Sequence, residues 1–181
     1  YDCMDLHAGF SSNTAEALEE EDRLLGSADL VVCSSRFLLD HVAPKARRAA
    51  LVRNGVDYDR FAAVPARLPG RDARRVVGYY GAIADWFDSG LLARIAALRP
   101  EWRLVLIGST WSADTGPLSA MPNVELPGEQ PYTALPGLIA GWDCCIIPFR
   151  HTPLTDATNP VKVYEMLAAG KPVVSVRLPE L

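Results

Sequence analysis

Lys162 and Glu165 are the charges within an otherwise apolar stretch, Asn159-Pro-Val-Lys-Val-Tyr-Glu-Met-Leu-Ala-Ala-Gly170, which continues as Lys-Pro-Val-Val-Ser-Val176. Three residues apart, they share one face of a helix. The stretch carries helix punctuation. Asn159 suits an N-cap, Pro160 the first helical position, Gly170 a left-handed closure, and Pro172 prevents a return. A helix N-terminus offers free N–H groups and partial positive charge, which attract phosphate. Lys162 adds a full charge there. Glu165, a turn further in, can accept hydrogen bonds from vicinal hydroxyls such as those of a ribose. The same pattern equally fits a surface Lys–Glu pair on a core helix, because such pairs are common and weak.

Other reactive groups are scattered. Asp2, Asp5 and His7 cluster where a strand runs into a loop, at the edge where open α/β sheets bind ligands. Arg150, followed by His151, opens the loop before the Lys162 helix and could meet a phosphate or only solvent. Gly81 ends an apolar run, Val76-Val-Gly-Tyr-Tyr-Gly81, where a glycine lets backbone approach a phosphate. That run lacks the G-x-G-x-x-G spacing, which disfavours a dinucleotide cofactor. Asp57-Tyr58-Asp59 has the form of an Asp-x-Asp metal motif but lacks nucleotide-binding context upstream, so no metal is expected. Ser34 and Ser35 lie in no Gly-x-Ser-x-Gly elbow. One of them is expected to cap the next helix.

The elements that must hold these groups alternate. Helices are expected at 16–25 (with Leu18, Leu24 and Leu25 facing inward), 36–42, 91–98, after Pro131 to Ala140, and from Asn159. Between them, apolar runs at 28–34, 49–53, 76–81, 102–107, 123–128, 143–149 and 173–176 read as strands, the last of them buried. On the Lys162 helix, Val161, Tyr164 and Ala168 form the expected apolar stripe, with Val163 and Leu167 beside it. The alternation predicts an α/β fold with doubly wound parallel sheets. The segment 61–75, rich in Pro, Ala and Arg, reads as an interdomain linker. The loop carrying Trp111 reads as a rim of the site.

With 181 residues, 49% hydrophobic and 22% charged, and a net charge of −4, the chain has a globular composition with no basic excess for nucleic acid. No run approaches the roughly 18 apolar residues of a membrane span, and no signal peptide is legible. Cys3, Cys33, Cys144 and Cys145 have neither metal-ligand nor disulfide spacing, and read as small buried residues in a reducing compartment.

Asn159 to Val174, ending in Gly-Lys-Pro-Val, resembles the donor-binding motif of GT-B glycosyltransferases, in particular the retaining family 4. Asn54-Gly-Val-Asp57, within Val52 to Phe61, resembles that family's link between its two halves, and Tyr1 to Phe10 resembles an active-site loop of its N-terminal half. The resemblance spans most of the chain and implies a GT-B-like fold of Rossmann-like sheets. It implies the tail of an N-terminal, acceptor-side half at 1–60, the linker at 61–75, and a truncated C-terminal, nucleotide-sugar-binding half at 76–181. The start at Tyr1 without Met and the stop at Leu181 after a strand read as a fragment.

By the same resemblance, Glu165 holds the ribose. Gly81, Arg150, Asn159, Lys162 and Val163 join it around the nucleotide sugar, and Gly128-Glu129-Gln130 lies near the base. His7 touches the donor sugar. The family's first Glu is replaced here by Ala157, with Asp156 as the substitute. The Arg and Lys that the family places after Gly81 are absent, which leaves more of the phosphate charge to Lys162. The implied activity is transfer of a sugar, with retention and without metal or cofactor, from a nucleotide-diphosphate sugar to a cell-surface polysaccharide or lipid-linked glycan. Its implied place is the cytoplasm, compatible with peripheral association at the inner face of the membrane. A non-catalytic nucleotide-sugar-binding module and a nucleotide-sugar epimerase of the same fold are the alternatives.

Overall fold

Short β-branched and leucine-rich runs between amphipathic helices suit parallel sheets covered on both faces, and the computed structural model contains two parallel sheets. It describes residues 1–65, 74–110 and 113–181. The chain falls into two units, Tyr1–Gly55 with His151–Pro160 and Arg177–Leu181, and Val56–Arg150 with Val161–Val176. This grouping differs from the expected 1–60 and 76–181 halves by returning two late segments to the first unit and by placing 56–60 in the second. The expected linker at 61–75 falls largely on 66–73, and Trp111 on 111–112, both outside the described residues.

In the first unit, β1 (Asp2–Cys3) leads through a 3-10 turn (His7–Gly9) to α1 (Ala15–Ser27), β2 (Val31–Cys33), α2 (Arg36–Val42) and β3 (Ala49–Leu51). The strands form a parallel sheet in the order β1-β2-β3. Thr14 caps α1 and Ser35 caps α2, each side chain accepting a backbone N–H of its first turn. Leu25 is buried, but Leu24 is 42% exposed, contrary to its expected inward position. Leu24 and Leu25 are about 100° apart on a helix, and the contact face of α1 centres on Leu25.

The second unit contains α3 (Tyr58–Ala62), β4 (Val76–Tyr80), α4 (Ser89–Leu98), β5 (Arg103–Ile107), α5 (Gly116–Ser119), β6 (Val124–Gly128), α6 (Leu135–Ala140) and β7 (Cys144–Ile147). The chain then adds α7 (Pro153–Asp156) to the first unit before α8 (Val161–Ala168) and β8 (Val173–Ser175) complete the second. The sheet order is β6-β5-β4-β7-β8, all parallel. Strand order therefore reverses between β4 and β7, and the crevice beyond their C-terminal ends is where such sheets bind ligands. β8 is an edge strand with Val174 57% exposed, not the buried strand expected. Lys171 ties its approach inward, donating from Nζ to the carbonyls of Ala140 and Trp142 at 3.0 Å each.

Gly78 is the tightest point of the sheet. A Cβ there would lie 2.0 Å from the buried Trp142 ring. Gly78→Ala is therefore expected to cost about 1–3 kcal/mol through overpacking, measured as a lower urea midpoint. An unchanged midpoint would mean that the indole can move aside.

Candidate functional site

The site in the second unit is built on the ends of its strands. After β4 the chain turns at Gly81, whose φ of +125° few other residues adopt. The loop that follows is tied to the loop after β7. Asp88 N–H donates to the Pro148 carbonyl (2.8 Å), Arg150 N–H donates to the Trp86 carbonyl (2.7 Å), and Phe87 and Phe149 form an antiparallel bridge. The reversal point of the sheet is thus walled on both sides.

Lys162 reaches this point from the first turn of α8. Its Nζ stands over Gly81 so closely that a Cβ there would be 2.5 Å away. It donates to Tyr79 Oη (3.3 Å), which donates onward to the Ala82 carbonyl (2.8 Å). It also lies 4.9 Å from the Tyr79 ring centre and 5.1 Å from that of Phe149. Burial of the ammonium lowers its pKa to about 8, against the opposing pull of Glu165.

Glu165 is 4% exposed. Its two oxygens take two phenols. Tyr80, at the end of β4, donates to Oε2, and Tyr132, in the 3-10 turn after β6, donates to Oε1 at 2.7 Å. Burial and the carboxylate together push the Tyr80 phenol far up, and Tyr132 up to about 12, so both remain donors at neutral pH. The surface-pair alternative is thereby corrected. The buried face of α8 is Val163, Glu165 and Met166, whereas Val161 and Leu167, expected in or beside the apolar stripe, are exposed. Polar partners on β4 and in the 3-10 turn make the charged face the inner one.

Beside this pair lies a cavity of about 420 Å³ at the ends of β4, β5 and β6. Tyr80, Gly81, Gly108, Glu129, Gln130 and Tyr132 are among its walls. Gly108, at φ +152°, allows the closest approach, since a Cβ there would meet the Gly81 carbonyl oxygen at 1.9 Å.

The remaining candidates divide between the units. Arg150 is exposed beside Phe149 in the second unit. His7, Asp156 and Asn159 belong to the first unit. The turn bearing His7 packs on α7, which ends at Asp156; a Cβ on Gly9 would lie 2.7 Å from Leu154 Cβ. Asp156 Oδ1 is 3.3 Å from His151 Nδ1, and Ala157 is fully buried. Asn159 is 2% exposed and clasps Asn54. Its Oδ1 accepts the Asn54 N–H (3.1 Å), and its carbonyl accepts Asn54 Nδ2 (2.6 Å). Asp57, from the Asp-x-Asp triplet, bonds Arg60 at 3.1 Å. Among the described residues no group of three or more His, Cys, Asp or Glu gathers around a common point, and no helix is long and apolar enough to cross a membrane.

Tyr79, Tyr80, Tyr132 and Phe149 were not among the residues expected from sequence. The adjacent Tyr79-Tyr80 at the end of an apolar strand was an available signal, since buried phenols need polar partners.

Known proteins resemble this chain in sequence and in fold. The chain is 33% identical over 202 aligned positions to a Bacillus subtilis (strain 168) protein named as a teichuronic acid biosynthesis glycosyltransferase, TuaH; the match covers 99% of this chain and 50% of that protein. The chain thus spans about half of that relative's length. Anabaena HepE, solved with UDP and glucose, superposes with a TM-score of 0.73 at 20% identity, over 99% of this chain and 53% of its own. Sucrose-phosphate synthase from Thermosynechococcus elongatus gives 0.72 at 20% identity, over 93% and 45%. At that identity the likeness establishes the GT-B fold alone. The family model described as glycosyl transferases group 1 matches residues 74–181, more than half of the sequence, and the chain belongs to that family.

Proposed function

We propose that the second unit is the nucleotide-sugar site of a glycosyltransferase, and that the whole protein transfers the sugar with retention to a polysaccharide or lipid-linked acceptor. The observation that carries this reading is the Lys162 ammonium over Gly81, at the reversal point of the sheet, with Glu165 and the cavity beside it. The cavity takes the nucleoside, with Glu165 on the ribose and the Gly128-Glu129-Gln130 turn near the base. Lys162 and the Gly81 turn take the diphosphate and stabilise it as charge develops on departure. HepE is described with UDP and glucose, and TuaH is named for teichuronic acid biosynthesis. The first description agrees with a nucleotide-sugar donor and the second with a glycan product. His7 and Asp156, on adjoining elements of the first unit, are the candidate contacts to the sugar. Arg150 is a further candidate for phosphate. Asn159 serves as a clasp to Asn54. The reaction proceeds without metal, in the cytoplasm.

The test is calorimetric titration with UDP, GDP, ADP and dTDP in excess chelator. At least one should bind with a Kd in the micromolar range, and added Mg²⁺ or Mn²⁺ should change that Kd by less than about twofold, roughly 0.4 kcal/mol. Failure of all four to bind, with or without metal, would overturn the donor-site reading. Binding that appears only with metal would overturn metal independence.

A further inference from the structure

We infer that Tyr80 and Tyr132 are positioning residues that hold the Glu165 carboxylate in one orientation and thereby set how strongly the site selects a ribose over a deoxyribose. The inference rests on the proposed role of Glu165 at the ribose.

A glutamate on a helix has three rotatable side-chain bonds, so an unrestrained carboxylate samples many orientations. Here each oxygen is held by a phenol from a different element, Oε2 by Tyr80 from β4 and Oε1 by Tyr132 from the 3-10 turn. Two anchors on separate backbones fix the plane of the group as well as its position. Each carboxylate oxygen offers about two lone-pair directions, so one direction per oxygen remains for a ligand hydroxyl. Vicinal hydroxyls are the diols that match such a pair.

The two tyrosines also line the cavity, and the carboxylate they hold adjoins that wall. Tyr80 is buried, whereas Tyr132 is 47% exposed. The Tyr132 ring is held independently of its hydroxyl. It meets Phe61 edge to face at 5.9 Å, and the Arg60 guanidinium lies 5.4 Å from its centre. Removing the hydroxyl alone should therefore leave the wall in place and free one end of the carboxylate.

The experiment compares Tyr132→Phe with wild type in titrations of UDP, GDP and ADP and of their 2′-deoxy counterparts, with thermal midpoints measured in parallel. Wild type should prefer the ribonucleotide by about tenfold, the order of one hydrogen bond to a charged group. In Tyr132→Phe that preference should shrink to within about twofold. Affinity for the deoxynucleotide and the midpoint should be nearly unchanged. A purely structural role for Tyr132 would lower both affinities together and leave the ratio intact, which would overturn the inference. Tighter ribonucleotide binding in the variant would also overturn it, because the phenol would then be a competitor for Glu165. If wild type binds the ribonucleotide but shows no preference over the deoxynucleotide, the positioning role falls while the nucleotide site stands. If no nucleotide binds wild type, the site reading itself fails, and this inference with it.

Discussion

Lys162→Ala is expected to lower turnover by about 10²–10³-fold and diphosphate affinity by about 1.5–3 kcal/mol, while nucleoside affinity stays unchanged. A helix N-terminus alone gives an anion only about 0.3–1 kcal/mol, rising to ~2 when partly buried. That is too little for a diphosphate that gains charge as its bond breaks. The Lys162 ammonium is held between two ring faces and the Tyr79 hydroxyl, directly over the Gly81 turn. A charge fixed there needs little reorganisation during departure. The contact is electrostatic, so the loss should grow from nucleoside to monophosphate to diphosphate. An equal loss for all three would remove Lys162 from the phosphate. Lys162→Arg should rescue only in part, because a planar fork does not fit the place of a point charge.

The same lysine fixes a pH dependence whose sign is determined. Its pKa in the folded chain, about 8, lies below its ordinary value of 10.5. On the proposed reading, diphosphate binding needs the protonated form, so affinity should fall about tenfold per pH unit above 8 and be flat just below it. For stability, the unfolded chain holds more protons between about pH 8 and 10.5, so stability rises with pH across that window. Below pH 8 the cost of burying the ammonium is fully present, on the order of 3 kcal/mol. Lys162→Met keeps the length and removes the charge. It should be more stable than wild type at pH 7, and the gap should narrow by pH 9.5. Urea midpoints at the two pH values decide this. A Met variant less stable at pH 7 would show that the contacts to Tyr79 and Phe149 outweigh desolvation.

Much of the fold was readable because its signals are local. The helix at 36–42, the Ser35 cap and the Gly170 closure (φ +67°) each depend on residues within one turn. Strands β2 to β8 were each marked by an apolar run, whereas β1 (Asp2–Cys3) was not. The harder features depend on partners far along the chain. Apolar periodicity turned Val161 and Leu167 of α8 inward, where both are exposed, because the groups that meet Lys162 and Glu165 lie on β4, the loop after β7 and the 3-10 turn. The apolar run of β8 did not reveal that it lies at an edge, since strand order is not encoded in hydropathy. The Asn54–Asn159 clasp joins residues 105 apart. The sequence marks both, Asn159 as a cap or ligand and Asn54 within the segment that resembles the family's link, but no spacing rule pairs them. Of the site, the charges were legible and the aromatic cradle around them was not.

Glu165→Ala is expected to weaken nucleoside, monophosphate and diphosphate binding alike, each by about 1.5–3 kcal/mol, because the ribose is common to all three. This opposes the graded loss expected at Lys162, so the two variants separate the two subsites. The fold should survive at a cost of about 1–3 kcal/mol, mostly from the Tyr80 phenol, which is buried and loses its carboxylate partner. Tyr132 is half-exposed and can turn to water. Glu165→Gln should recover part of that stability, since its amide oxygen can accept one phenol, but its NH₂ would face the other donor. The carboxylate also supports the charge on Lys162. Without it the lysine pKa falls further, so a phosphate-dependent loss should be added near and above pH 8. The losses should therefore be equal across the three ligands at pH 6.5 and become graded at pH 8. Grading that persists at pH 6.5 would mean that Glu165 acts mainly through Lys162, and the ribose contact would have to be assigned elsewhere.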